Sequence, residues 1–422
     1  MKQVITADPN CEDDYDDASL TCDDALARIL ERVKPVTATE VLPVREALGR
    51  TLARPIVSPI DVPSHRNSAM DGYAVRTSDL PGTGSLKRLR VIGSAFAGKP
   101  FPGTVSEDEA VRIMTGAVVP PETNVVIMQE QVEIDGTDIV VDDRHKDGQN
   151  VRAAGEDIKR DTAVLKPGRV IGPADLGLIA SLGFGTAEVY RRVRVAFLST
   201  GDELRGVGEQ LAPGEIYDSN RYTLHGMLTR LGIDIIDLGV VADNRDAVRN
   251  ALNSAASQAD VVISSGGVSV GEADYIKEIL REVGQVGFWK VAMKPGRPLA
   301  FGHIGDAVFF GLPGNPVSVM VTFYQFVQPS LLKVMGAEQA PSLLIKAAAG
   351  NVLKKRPGRV EYQRGFLTMG SDGRAVVHTE ADQGSGILSS MSNANCFVVL
   401  PMDGGRVETG AAVDVQPFFG IM

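Results

Sequence analysis

Apolar positions along the chain change period three times. Near the N-terminus Ala25, Leu26, Ile29, Leu30 and Val33 recur at helical spacing. Thr21 stands before them as N-cap, Asp23 and Asp24 fill the first turn, and Pro35 stops the helix. A second helical piece, 44–48, ends at Gly49, and 54–62 reads as extended between prolines. Strand-like runs follow at 89–92, 110–114, 125–128 and 139–141, and Asp71-Gly72 predicts a tight turn between strands. From residue 193 strands and helices alternate: strands 193–199, 233–238, 261–263, 286–291 and 307–310, helices 220–231, 245–257 and 274–283, and a long closing helix, 315–334. Short strands return after Gly336, at 343–348, 359–366, 375–379, 396–400 and 412–416.

These periods predict a multidomain α/β plus β protein. The expected parts are an acidic flexible tail (1–17), an elongated linker domain that carries the N-terminal helix (18–60 with 158–192) and a small inserted β-rich domain (61–157). A doubly wound, mostly parallel α/β domain (193–340) and a C-terminal β-barrel (341–422) complete it. Residues 148–157 read as a return linker.

Composition narrows the function. The 422 residues are 44% hydrophobic and 23% charged, as in soluble globular proteins. A net charge of −10 argues against nucleic-acid or anionic-membrane binding, which needs a cationic footprint. No apolar run approaches the roughly 20 residues of a membrane span. Cys11, Cys22 and Cys396 are scattered, without disulfide or metal spacing, and no secretory pattern opens the chain. A cytoplasmic protein is expected.

Candidate chemistry collects in one stretch. The apolar run Val261-Val262-Ile263 stops at Ser264-Ser265-Gly266-Gly267-Val268-Ser269-Val270-Gly271-Glu272-Ala273-Asp274, and a helical pattern follows. Such a loop offers backbone N–H groups to an anion at a helix N-terminus, although it serves equally as a tight turn with an acidic cap. Four more strands end in comparable loops. These hold Thr200-Gly201-Asp202-Glu203, Ala242-Asp243-Asn244, Lys290 to Pro298, and Gly311-Leu312-Pro313-Gly314-Asn315-Pro316. Asn315 and Pro316 also suit a simple helix start. Parallel sheets bind ligands at the C-terminal ends of their strands. Converging there, Glu203, Asp243 and Asp274 with Lys290, Lys294 and Arg297 suit a phosphate-bearing anion and a Mg²⁺-type metal. Neither a Walker A sequence nor a Gly-x-Gly-x-x-Gly after the first strand is present.

Ser264 to Asp274, together with Asn67-Ser68-Ala69-Met70-Asp71-Gly72-Tyr73-Ala74 and Gly311 to Pro316, resembles the molybdopterin molybdenumtransferases, a family similar to the E domain of gephyrin. The resemblance spans about residues 20–420. It implies insertion of molybdate into adenylylated molybdopterin, with Mg²⁺ and release of AMP. It also implies a homodimer whose cleft lies between the α/β domain of one subunit and the small β domain of the other. Contact with a molybdopterin adenylyltransferase and with molybdoenzymes is implied as well. By this resemblance Asp71, Thr115, Arg152 and Asp157 line the small-domain side. Glu203, Asp243 and Asp274 form the acidic, metal-holding side, and Ser264, Ser265, Gly266, Gly267 and Ser269 cradle the phosphate side. Lys290, Lys294 and Arg297 hold phosphate or oxyanion, Pro313 and Pro316 shape the pocket, and Arg364 and Ser385 bring the C-terminal domain to molybdate. Two departures stand out: His65-Arg66 replaces Phe-Asp, and Arg297 replaces a lysine. A molybdopterin adenylyltransferase and a gephyrin-like dimeric scaffold are the alternative readings.

Overall fold

The computed structural model describes residues 19–266, 274–380 and 382–418. The acidic tail falls outside them. Thr21 Oγ1 accepts from the Asp24 N–H at 3.1 Å and starts helix Cys22–Arg32. The apolar stripe of this helix, Ala25 and Ile29, packs into the core of the α/β domain with Val195, Phe310 and Leu331. The linker has a separate core of Leu52, Ile56, Ile171, Ile179 and Val189, in which the helix takes no part. In the linker, strand Thr39–Pro43 pairs with Thr186–Tyr190 and Ile56–Val57 with Ala163–Leu165, so two distant stretches of chain close one unit.

The α/β domain carries a six-stranded sheet in the order Asp234–Val241, Arg194–Thr200, Val261–Ser265, Ala307–Leu312, Pro298–Ile304, Gly284–Lys290. The first four strands are mutually parallel. Along Arg194–Thr200, Val195 and Phe197 face one core, while Ala196 and Leu198 face a second core under helices Arg245–Gln258 and Asp274–Val283. Burial on both faces explains the unbroken apolar runs.

Two features differ from the sequence expectation. Residues 298–304, starting at the last residue of the predicted fourth loop and otherwise given no element in the sequence, form an antiparallel strand that turns back at Gly305 (φ 57°) into Ala307–Leu312. Its near-continuous apolar run, opened by Pro298, carried no alternation to mark it. The long closing helix is three segments, Pro316–Thr322, a π-helical turn Phe323–Val327, and Gln328–Val334. The Gln328 N–H reaches back to the Phe323 carbonyl, and this wider turn falls where Pro329 has no N–H to give.

The C-terminal domain is a closed barrel of Val360–Met369, Ala375–Thr379, Ile345–Ala349, Ala412–Pro417 and Cys396–Leu400, the last pairing back to the first. Phe397 and Phe418, with ring centroids 4.8 Å apart, share a core with Tyr324 of the α/β domain. A short strand, Met293–Lys294, adds in parallel to Val360–Met369. Barrel and α/β domain are thereby joined by backbone as well as by packing.

The small domain is a six-stranded sheet in the order Val125–Met128, Gly72–Val75, Glu109–Ile113, Lys87–Ala95, Asp138–Val141, Glu133–Asp135. Asp71-Gly72 does not make a hairpin. Asn67–Ser68 pairs with Val151–Arg152, in the stretch read as a return linker, and Gly72–Val75 pairs elsewhere. Among the described residues no helix is long and apolar enough to cross a membrane.

Candidate functional site

At the sheet edge the third loop meets the end of the first strand and the fifth loop, and the fourth meets the helix after the fifth. Gly266 follows strand Val261–Ser265 with φ 89°, and a Cβ there would lie 2.5 Å from the Thr200 carbonyl oxygen. Only glycine fits so close to the neighbouring strand. The Gly266 N–H donates to the Leu312 carbonyl at 3.2 Å, which ties the third loop to the fifth. Gly296, in the fourth loop, abuts the helix after the fifth, since a Cβ on it would lie 2.6 Å from Thr322 Oγ1.

The acidic side forms between the first and second loops. Burial, then the like charges of Asp202 and Glu203, push the Asp243 carboxyl above its ordinary value. All three side chains belong to exposed residues. Asp202 was not singled out by the sequence reading, although it stands beside Glu203 in the same loop. Asp274 opens helix Asp274–Val283, but its side chain, with Gly267 and Ser269, lies outside the described residues. Ser264 and Ser265 are 7% and 3% exposed and end the strand itself, which runs two residues further than predicted. Ser265 Oγ accepts from Asn220 Nδ2 at 3.0 Å.

On the basic side, Lys290 ends strand Gly284–Lys290, and Lys294 Nζ lies 3.8 Å from Glu361 Oε1 of the barrel. Arg297 is half-buried in the same loop. Arg364 differs from the expectation of an oxyanion contact. It is 1% exposed; its Nε donates to Ser390 Oγ at 3.0 Å and its terminal amine to the Gly384 carbonyl at 2.9 Å. Burial lowers its pKa to about 10. Arg364 thus spends its fork on the loop that carries Ser385, and the Ser385 carbonyl accepts from the Val317 N–H at 3.1 Å. Ser385 is half-buried beside Pro316 and the buried Pro313 loop.

The small-domain residues form a separate group. Thr115 donates to Asp71 Oδ1 twice, from its N–H and from Oγ1, each at 2.7 Å, and these bonds hold the Asp71 carboxyl below its usual range. Gly72 places this acid: a Cβ on it would come within 1.9 Å of the Ile127 carbonyl oxygen. Arg152 pairs with Asn67 through backbone, and the Asp157 N–H donates to the Val62 carbonyl. Both are exposed. The hydrogen bonds between described residues that involve Asp71, Thr115 and Arg152 stay within the small domain, so this group is not joined to the acidic loops of its own chain.

Among the described residues one trio of carboxylates has metal-sharing spacing, Asp79, Glu107 and Asp108. It lies in the small domain, and Lys87 Nζ bridges it at 3.0 Å from Asp79 and 2.7 Å from Asp108. Among the described residues Glu203 and Asp243 close no such trio.

Comparison with known proteins places these features in a family. The MoeA N-terminal region (domain I and II) matches residues 20–183, a probable molybdopterin binding domain 196–333, and the MoeA C-terminal region (domain IV) 346–418. The molybdopterin molybdenumtransferase of Haemophilus influenzae is 48% identical over 403 residues, covering 94% of this chain and 98% of that protein. The Nostoc enzyme of the same name is 36% identical over 89% of this chain and 88% of its own. A crystal structure of the molybdopterin biosynthesis moeA protein from Pyrococcus horikoshii superposes with a TM-score of 0.83 at 29% identity, covering 94% of this chain and 100% of that one. Matching motifs, domain order and near full-length similarity together make this chain an enzyme of the molybdopterin molybdenumtransferase family.

Proposed function

We propose that this enzyme transfers molybdenum from molybdate onto adenylylated molybdopterin, with Mg²⁺ at the acidic loops and release of AMP. The relatives' name supports the transfer. The observation that carries the finer reading is the gathering of Asp202, Glu203 and Asp243 at two adjoining loops, where burial first and then the neighbouring like charges raise the Asp243 carboxyl. Like charges held together at a ligand edge are relieved by a divalent cation. The donors are hard oxygens, as Mg²⁺ requires, and Mg²⁺ commonly takes only one or two carboxylates and completes its shell with phosphate and water. An open pair such as Glu203 and Asp243 fits that habit, with Asp274 at the neighbouring helix start. When bound, the ion neutralises phosphoanhydride charge.

The chain's own groups do the rest. Lys290, Lys294 and Arg297 hold the molybdate and phosphate oxygens, with Glu361 steering the Lys294 ammonium. The Gly266 turn presents backbone where a side chain would block approach. Ser385 is delivered to the pocket by the loop that Arg364 fixes. Rate enhancement then comes from proximity and fixed charge, with no covalent protein intermediate.

The cleft is completed by a second copy of the chain, whose small domain brings Asp71, Thr115, Arg152 and Asp157 to the acidic loops. In support, the Asp71–Thr115 pair has no bond to its own α/β domain among those of the described residues.

Purified enzyme with adenylylated molybdopterin, molybdate and Mg²⁺ tests the reading. Wild type should release AMP and form molybdenum cofactor, and Asp243→Asn should lose most of both. Undiminished release by Asp243→Asn overturns the metal role. Synthesis of the adenylylated pterin from ATP without molybdate would mark the preceding adenylyl transfer instead.

A further inference from the structure

We infer that Asn220 is a positioning residue of this site: its side-chain amide pins the end of strand Val261–Ser265 to the Gly311–Pro316 loop and fixes the spacing of two pocket walls. Asn220 lies in the first turn of helix Ser219–Arg230, behind the N-cap Asp218. Its Nδ2 donates to Ser265 Oγ at 3.0 Å and to the Gly314 carbonyl at 2.6 Å. A carbonyl only accepts, so Gly314 fixes which end of the amide faces the loops.

Gly311 and Leu312 are held in the sheet, but the stretch 313–316 has few other ties among the described residues. Asn315, at the N-cap of helix Pro316–Thr322, makes no side-chain capping bond. On one flank the loop is held by the Ser385 carbonyl, through Val317. On the other it is held by Asn220 and by the Gly266–Leu312 backbone bond. Both of Asn220's partners border the pocket. Ser265 leads directly into the glycine loop, and Gly314 lies between Pro313 and Pro316.

Among the described residues Asn220 Oδ1 is buried without a hydrogen-bond partner, as are Ser199 Oγ, Thr200 Oγ1 and Asp218 Oδ2 at the adjoining strand and helix ends. Burying an oxygen without a partner is unfavourable. Such a cost persists where geometry serves the site.

Two readouts test the inference, and only the kinetic one depends on the proposed reaction. Asn220→Asp keeps the shape but sets an oxygen against the Gly314 carbonyl. Asn220→Ala removes both bonds, and Ser265→Ala removes one. Deuterium exchange should quicken in the segments around Gly266 and 314–317, with the remaining sheet unchanged and melting within a few degrees of wild type. The order should be Asn220→Ala and Asn220→Asp above Ser265→Ala, and Asn220→Ala/Ser265→Ala should be no worse than Asn220→Ala. In the AMP-release assay kcat should fall at least tenfold for Asn220→Asp, with a smaller change in KM. Wild-type exchange in both segments overturns the inference, as does a rise spread evenly through the sheet. If Asn220→Ala does not fold, Asn220→Asp and Ser265→Ala carry the same comparison. If wild type releases no AMP, the proposed reaction fails, while exchange still decides the clamp.

Discussion

The Val317 N–H donates to the carbonyl oxygen of Ser385, at 3.1 Å. One residue opens the helix after the fifth strand of the α/β domain's ligand edge, and the other sits on a loop of the barrel. Helix N-termini leave their first N–H groups without partners, and here another domain supplies one. Val317 reads as an ordinary core valine in sequence, and its backbone is what aligns the barrel loop with the pocket.

Arg364 holds that loop, so its replacement should act through the loop. Arg364→Ala leaves the Gly384 carbonyl without its donor, takes one of the two bonds of Ser390 Oγ and empties a buried volume. We expect a loss of about 2–4 kcal/mol in urea denaturation, together with activity. Arg364→Lys keeps the charge but not the fork, and should recover stability more than activity. Full activity for Arg364→Ala would remove the loop from the site.

Asp243 gives a pH test with a definite sign. Its folded pKa lies above the ordinary 3.8. An acid shifted upward costs the folded state nothing below 3.8; the loss grows as pH rises from there and is complete above the folded value. Asp243→Asn should therefore melt higher than wild type at neutral pH and level with it near pH 3.5. Mg²⁺ should raise the wild-type melting temperature and leave the variant unmoved. Equal melting at all pH values, with an equal response to Mg²⁺, contradicts the crowded-acid reading.

Gly266→Ala combines a φ of 89° with a Cβ 2.5 Å from the Thr200 carbonyl. The expected cost is about 1–3 kcal/mol by thermal unfolding, with activity falling further than stability, because the turn lines the pocket. Gly208→Ala has a φ of 94° but no atom within 4 Å of its Cβ, and serves as the control with strain and no clash.

Much of this was legible in the chain, for physical reasons. The βα period from residue 193 marked the sheet, because both of its faces are buried. Acids and glycines concentrated at strand ends marked the edge where the loops gather and to which the ligand is assigned. The resemblance put Asp71 and Thr115 on the same small-domain side without pairing them, and the fold joins them by two hydrogen bonds. Three things were not legible. The Pro298–Ile304 strand lacks alternation. Arg364 looks like any exposed cation until its burial is seen. Asn220 resembles a helix cap, and only the fold brings it to Ser265 and Gly314, 45 and 94 residues away.

The central claim is that the cleft is built from two chains, and mixing two inactive variants tests it most directly. Asp71→Asn lacks the small-domain acid and Asp243→Asn the α/β acid. Co-expressed and purified together, they should form mixed dimers, if the proposed dimer exists, in which one of two clefts has both acids. With half the dimers mixed, about one quarter of wild-type AMP release is expected. A mixture no more active than either variant alone contradicts the account.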